Sequence, residues 1–221
     1  MTYSICARER PGADSNGRFR FGAAAASRLP AVGGVATHAG DNGAVATVGI
    51  TDAEVGRRCL DGLADGRSLP EVLDDAATPR RQVHGVAAAA ADGHTGDDCR
   101  GVTGHVTGDG VSVAGTSLSD EAVVAAVARG FRENERDAPL ACRLLTALAA
   151  GERAGGDRRD LSTGSAAVVV GRADGPTTLY DDLRVDTSES PVADLRETYR
   201  RAKRGYETAV ERYGTSQTEN S

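Results

Sequence analysis

The order of strand and helix signals in this 221-residue chain predicts an α+β protein. Three observations point there. Two hairpin patterns open the sequence, helices then come in consecutive pairs, and a long helical pattern closes it. Grouped runs of this kind favour layered packing over a sheet of alternating parallel units.

Residues 2–8 alternate, with Tyr3, Ile5 and Ala7 pointing one way and Thr2, Ser4, Cys6 and Arg8 the other, which is the period of a strand. Pro11–Gly17 is dense in turn residues, and a small-residue strand follows from about Phe19 to Ser27. Apolar runs at Val32–His38 and Ala44–Ile50 flank Gly40-Asp41-Asn42-Gly43, whose Asn-Gly pair is a favoured tight-turn dipeptide. Thr51-Asp52 caps a helix that runs to Ala64, buries Val55, Cys59, Leu60 and Leu63, and ends at Gly66. Ser68 starts a short second helix through Ala77. Strands are expected at Gln82–Ala91 and around Gly104–Ser117, with Gly108-Asp109-Gly110 as a hairpin turn. Helices at Asp120–Glu135 and Leu140–Arg153 are separated by Pro139. A glycine-rich, charged loop, Ala154–Gly164, leads into strands at Ala166–Val170 and Thr178–Val185, and a helix runs from about Pro191 to Tyr213. Residues 1–213 read as one domain without repeats or linkers, and residues 214–221 as a disordered polar tail.

Composition narrows the function. A net charge of −6 argues against nucleic acid, which needs a basic patch. The cluster Arg200-Arg201 with Lys203-Arg204 has Glu197, Glu207 and Glu211 nearby, so it reads as a solvated helix face. No stretch approaches the roughly twenty apolar residues that span a bilayer, so no membrane partner is expected. The start carries no signal-peptide pattern, and Cys6, Cys59, Cys99 and Cys142 are too scattered for a disulfide framework. The compartment is expected to be the cytoplasm.

Thr2 is the first candidate for chemistry. Removal of Met1 would leave a threonine with a free α-amine, which titrates near pH 8 in the unperturbed case. That amine beside its own hydroxyl makes a base and nucleophile in one residue. Ser4 and Arg8 share its strand face and are placed to orient a substrate carbonyl or carboxylate. The loop Ala154-Gly155-Gly156-Asp157-Arg158-Arg159 offers N–H groups and guanidinium forks to an anion, or an internal Asp157–Arg pair that pins the loop. It lacks the lysine and hydroxyl of a phosphate-binding loop. His84, His94 and His105 with Cys99 match no compact metal-ligand spacing, so no metal is expected, nor any other cofactor. His38 reads as structural. Ser117, Ser162 and Ser165 lack the context of a hydrolase nucleophile elbow.

Several segments, in order, resemble the domain-of-unknown-function 1028 family. They are Met1-Thr2-Tyr3-Ser4-Ile5-Cys6-Ala7-Arg8, Ala24-Ala25-Ala26-Ser27-Arg28, Gly43-Ala44-Val45-Ala46-Thr47 and Arg81-Gln82. His94-Thr95-Gly96 with Cys99, the Ala154–Arg159 string and Asp182-Leu183-Arg184-Val185-Asp186 complete the likeness, which covers nearly all of residues 1–200. The resemblance implies an Ntn-hydrolase-like fold, a four-layer α-β-β-α sandwich. With that fold, an amidohydrolase of the N-terminal-nucleophile type is expected, acting on a small amide or peptide-like substrate. Thr2 would be the nucleophile, and Ser4, Arg8, Asp157 and Arg158 would bind substrate. N–H groups near Thr47 or Gly115 would form the oxyanion hole. The sequence departs from the family at several points. Val48 stands in a usual ATQ string, Ala114 and Thr116 in a usual QGN, and Gly164 where glutamine usually precedes the serine aligned with Ser165. Since one oxyanion donor is worth ~3 kcal/mol, these losses imply either altered substrate choice or a non-catalytic binding or structural paralogue. A homodimer is expected in either case.

Overall fold

The computed structural model describes residues 2–10, 18–134, 138–171 and 178–214. Met1, the whole of the turn expected at 11–17, the helix end expected at Glu135 and the tail from 215 onward lie outside the described residues. Within them the chain is α+β, with two antiparallel sheets and five helices.

The strands are β1 (Thr2–Glu9), β2 (Arg20–Ser27), β3 (Thr37–Ala39), β4 (Gly43–Gly49), β5 (Arg81–Ala87), β6 (Ala91–Thr95), β7 (Val102–Gly108), β8 (Val111–Leu118), β9 (Gly164–Val170) and β10 (Asp182–Ser188). The helices are α1 (Ala53–Ala64), α2 (Leu69–Ala76), α3 (Ala122–Arg132), α4 (Leu140–Arg153) and α5 (Pro191–Tyr213). One sheet runs β10-β9-β2-β1-β8-β7 and the other β3-β4-β5-β6.

Because β1 has strands on both sides and layers on both faces, its alternation separates two interiors and not core from solvent. Tyr3, Ile5 and Ala7 join Val127, Leu144, Leu148 and Leu195 of α3, α4 and α5 in one core. Cys6, Phe21 and Ala23 meet Ala44, Ala46 and Val86 of the other sheet. Val45 and Val83, on the far side of that sheet, pack against Val55, Cys59, Leu63 and Val72 of α1 and α2.

The starts of α1 and α2 follow their caps. The Asp52 carboxylate accepts from the Glu54 N–H at 2.9 Å, and Glu71 reaches back to accept from the Ser68 N–H at 2.9 Å. Four elements differ from the sequence reading. The run 82–91 is two strands joined by a turn, which the all-alanine stretch Ala87–Ala90 does not signal in the sequence. The last strand begins at Asp182, later than Thr178. Val32–Gly34 forms a 3-10 turn, leaving only Thr37–Ala39 as strand. In the β3–β4 hairpin the Gly40 N–H donates to the Gly43 carbonyl, so Asp41-Asn42 and not Asn42-Gly43 make the turn.

Candidate functional site

The site grows out of the ladder at the start of β1. Thr2 pairs with Ser27 of β2, and Ser27 with Ser165 of β9. Thr116 follows Gly115, the β8 partner of Tyr3, and so stands across from Thr2. Cross-strand partners share a face. Ser165, Ser27, Thr2 and Thr116 therefore form a row of hydroxyls over four adjacent strands, all buried and turned toward the smaller sheet.

Thr2 donates its hydroxyl to Ser27 Oγ at 3.1 Å. Ser27 Oγ also accepts from the Leu29 N–H at 3.1 Å and from Arg159 Nη2 at 2.9 Å. Arg159 forks onto Asp157, with Nε 3.0 and 3.1 Å from the two carboxylate oxygens and Nη2 in contact with Oδ2. The Arg28 and Arg159 N–H groups donate to the same carboxylate at 2.9 and 3.0 Å. Burial pushes the Asp157 pKa up, but the Arg159 side chain and these two N–H groups outweigh it and hold the carboxyl below its ordinary value. The chain reaches this position because Gly155 and Gly156, at φ of 110° and 54°, turn it sharply after α4.

Arg158 is exposed, and its backbone N–H donates to the Ser117 carbonyl at 3.2 Å. The next residue, Arg159, is the one that reaches Thr2's partner. A cleft of about 80 Å³ opens beside this group, lined by Tyr3, Ser27, Arg28, Glu152, Asp157 and Val192 among others. Burial pushes the Glu152 carboxyl up. Larger hollows of about 410 and 310 Å³ lie against α1 and α2 and are lined by none of the residues of the hydroxyl row.

The other sequence candidates sit elsewhere. Ser4 lies 2.7 Å from His84 Nε2, and His84 Nδ1 lies 3.0 Å from Ser112 Oγ. Ser112 gives its one hydroxyl proton to the Asp92 carbonyl at 3.1 Å, so His84 donates from Nδ1 and accepts from Ser4 at Nε2. Burial, with a smaller contribution from His105, pushes the His84 pKa down to about 3, so the ring is neutral. Arg8 lies about 20 Å along the strand from Thr2. It pairs with Asp109 at 3.0 Å and donates to the Ala87 and Ala88 carbonyls. Thr47 donates its N–H to Ala36 at 2.9 Å and its hydroxyl to Val35 at 3.2 Å. Gly115 sits in the ladder opposite Tyr3 and Gly104, on the helix-facing side of β8. Among the described residues, no group of three His, Cys, Asp or Glu side chains is placed to hold a metal. Likewise, no helix is long and apolar enough to cross a membrane.

Ser27 and Gln82 were missed as site residues, whereas the internal Asp157–Arg pair expected in the loop is formed by Arg159. Ser27 was legible in principle, since a hairpin register that pairs Ile5 with Ala24 pairs Thr2 with it. Gln82 is fully buried on β5 and donates to Thr95 Oγ1 at 3.0 Å and to the Gly104 carbonyl at 3.1 Å.

These features define an α+β protein of two antiparallel sheets whose first strand carries a buried threonine in a hydroxyl–guanidinium–carboxylate chain. The chain belongs to a family of unknown function, DUF1028, whose model matches residues 2–195. Among solved structures it is similar to protein SPO2555 from Silicibacter pomeroyi, described as a member of the same family. The two are 26% identical with a TM-score of 0.74, over 91% of this chain and 89% of that one. The search of curated proteins finds no match.

Proposed function

We propose that this protein is an amidohydrolase of the N-terminal-nucleophile type, with the four-layer α-β-β-α sandwich of that class, acting on a small amide or peptide-like substrate in the cytoplasm. The observation that carries the reading is the Thr2 hydroxyl, held on a central strand by Ser27, which Arg159 and Asp157 hold in turn. After removal of Met1, the Thr2 α-amine takes the hydroxyl proton as Oγ1 attacks the substrate carbonyl. The amide C–N bond then breaks, the leaving amine takes that proton, and an ester to Thr2 remains. Water, deprotonated by the same amine, hydrolyses the ester and restores Thr2. Asp157 and Arg159 act as positioning residues through Ser27. Ser4, Arg8, Thr47 and Gly115 engage partners within the protein, so this reading gives them structural work.

A second reading is a non-catalytic binding protein that works as a homodimer. It is favoured by the burial of Thr2, which is 3% exposed, and by the small cleft beside it. Intact mass and N-terminal sequencing separate the two, followed by an electrophilic threonine-directed probe. The amidohydrolase requires a Met1-free chain whose Thr2 is labelled, with labelling lost in Thr2→Ala. A retained Met1 would overturn it.

A further inference from the structure

Two buried polar atoms, one of them across the ladder from Thr2, lack any partner within the protein: Gln82 Oε1 and Thr116 Oγ1. Their residues are 0% and 1% exposed. Buried side-chain polar atoms are nearly always satisfied, and departures from that rule are expected at functional or strained sites. The orientation of Gln82 is fixed chemically. The Gly104 carbonyl can only accept, so the amide nitrogen must face it, which leaves Oε1 as the open acceptor.

Both atoms look into the space between the sheets. Gln82 shares its strand face with His84, whose ring crosses that space to Ser4 and Ser112. Thr116 shares its face with Ser112 and Ala114 by the period of the strand. The two also lie at the same end of it. Gly104, the carbonyl that Gln82 holds, is the ladder partner of Gly115, the residue before Thr116. Thr116 in turn stands across from Thr2. Strand neighbours of this kind are about 5 Å apart at Cα.

An open acceptor and an open donor at the same end of that space complement one functional group, an amide. Its N–H would give to Gln82 Oε1 and its carbonyl oxygen would accept from the Thr116 hydroxyl. The geometry points to Gln82 and Thr116 as the amide-recognition pair of the site, holding a primary or secondary amide by both ends beside the Thr2 hydroxyl. The inference rests on the amidohydrolase reading for the substrate class alone. It concerns binding and would hold without turnover.

The test uses Met1-free full-length protein carrying Thr2→Ala, which cannot turn over, and propionamide as probe, followed by NMR titration. Propionamide is expected to shift the Gln82 side-chain amide resonances. Thr116→Val should weaken binding about tenfold, the worth of one such bond, while Thr116→Ser restores it. Thr116→Val should also raise the melting temperature, because it removes an orphaned hydroxyl at constant shape. Unchanged propionamide affinity in Thr116→Val, or a crystal structure in which a resident water stays on both atoms at saturating amide, would overturn the pair. Labelling of Thr2 with no effect of Thr116→Val sinks the pair and leaves the amidohydrolase standing. Weakened binding without Thr2 labelling does the reverse.

Discussion

Arg159 and Ser27 lie 132 positions apart in the chain, and Arg159 Nη2 donates to Ser27 Oγ at 2.9 Å. That bond ties the loop after α4 to the end of β2 and places a cation one hydroxyl away from Thr2. The guanidinium is held by Asp157, so the charge near Thr2 is balanced and fixed in direction.

Ser27→Ala removes the acceptor shared by Thr2, the Leu29 N–H and Arg159. Loss of a buried acceptor costs about 1–3 kcal/mol. Urea unfolding should report a destabilisation of that size. Labelling of Thr2 in Met1-free protein should fall even where the variant remains folded.

Asp157→Asn breaks a pair in which the carboxylate side chain is 3% exposed and its arginine 16%. Removing one member of a pair this well buried costs about 3 kcal/mol or more. The sign with pH follows from the depressed folded value. The contribution is complete above the unfolded pKa near 4 and disappears as pH falls through the folded one. The gap between wild type and Asp157→Asn should therefore close in acid, measured by unfolding at pH 6 and at pH 3.

His84 carries a second acid dependence over a different range. Its folded pKa, near 3, lies below the ordinary 6.5, so between these values the unfolded chain binds the extra proton. Stability should rise with pH across that window, by up to ~1.4 kcal/mol per unit. His84→Gln should flatten this part of the stability–pH curve. A slope that survives the substitution would assign it to other groups.

Gly151→Val tests how closely α4 approaches β1. A Cβ at this position would lie 2.5 Å from Val127 and 2.9 Å from the Tyr3 ring. Overpacking of this kind costs about 1–3 kcal/mol. Calorimetry should show the lower melting temperature, and Thr2 labelling should drop as β1 shifts.

Much of this fold was legible in the sequence because its local signals agree with its tertiary arrangement. The α1 cap at Asp52, the capping box at Ser68 and Glu71, and the β1–β2 and β7–β8 hairpins each follow from residues close in sequence. The candidate site was half legible. Alternation put Thr2 and Ser4 on one face of β1, yet their partners, Ser27 and His84, come from two different sheets. Choosing Arg159 over Arg158 needed the turn at Gly155-Gly156, which decides which guanidinium goes inward. The orphaned Gln82 and Thr116 depend on β5 lying over β8, a pairing between sheets that no local pattern encodes.

The place of Thr2 also sets a clock. Arg159 and Asp157 follow it in the chain by more than 150 residues, so they leave the ribosome well after it does. At roughly 5–20 residues per second, about 10–30 s pass before the last piece of its surroundings exists. During that interval the Thr2 end of β1 lacks the residues that bury it in the finished protein. Once β8, β9 and the loop after α4 close around it, that exposure ends. Thr2 is therefore open on the growing chain, and the centre around it is assembled only on the finished one.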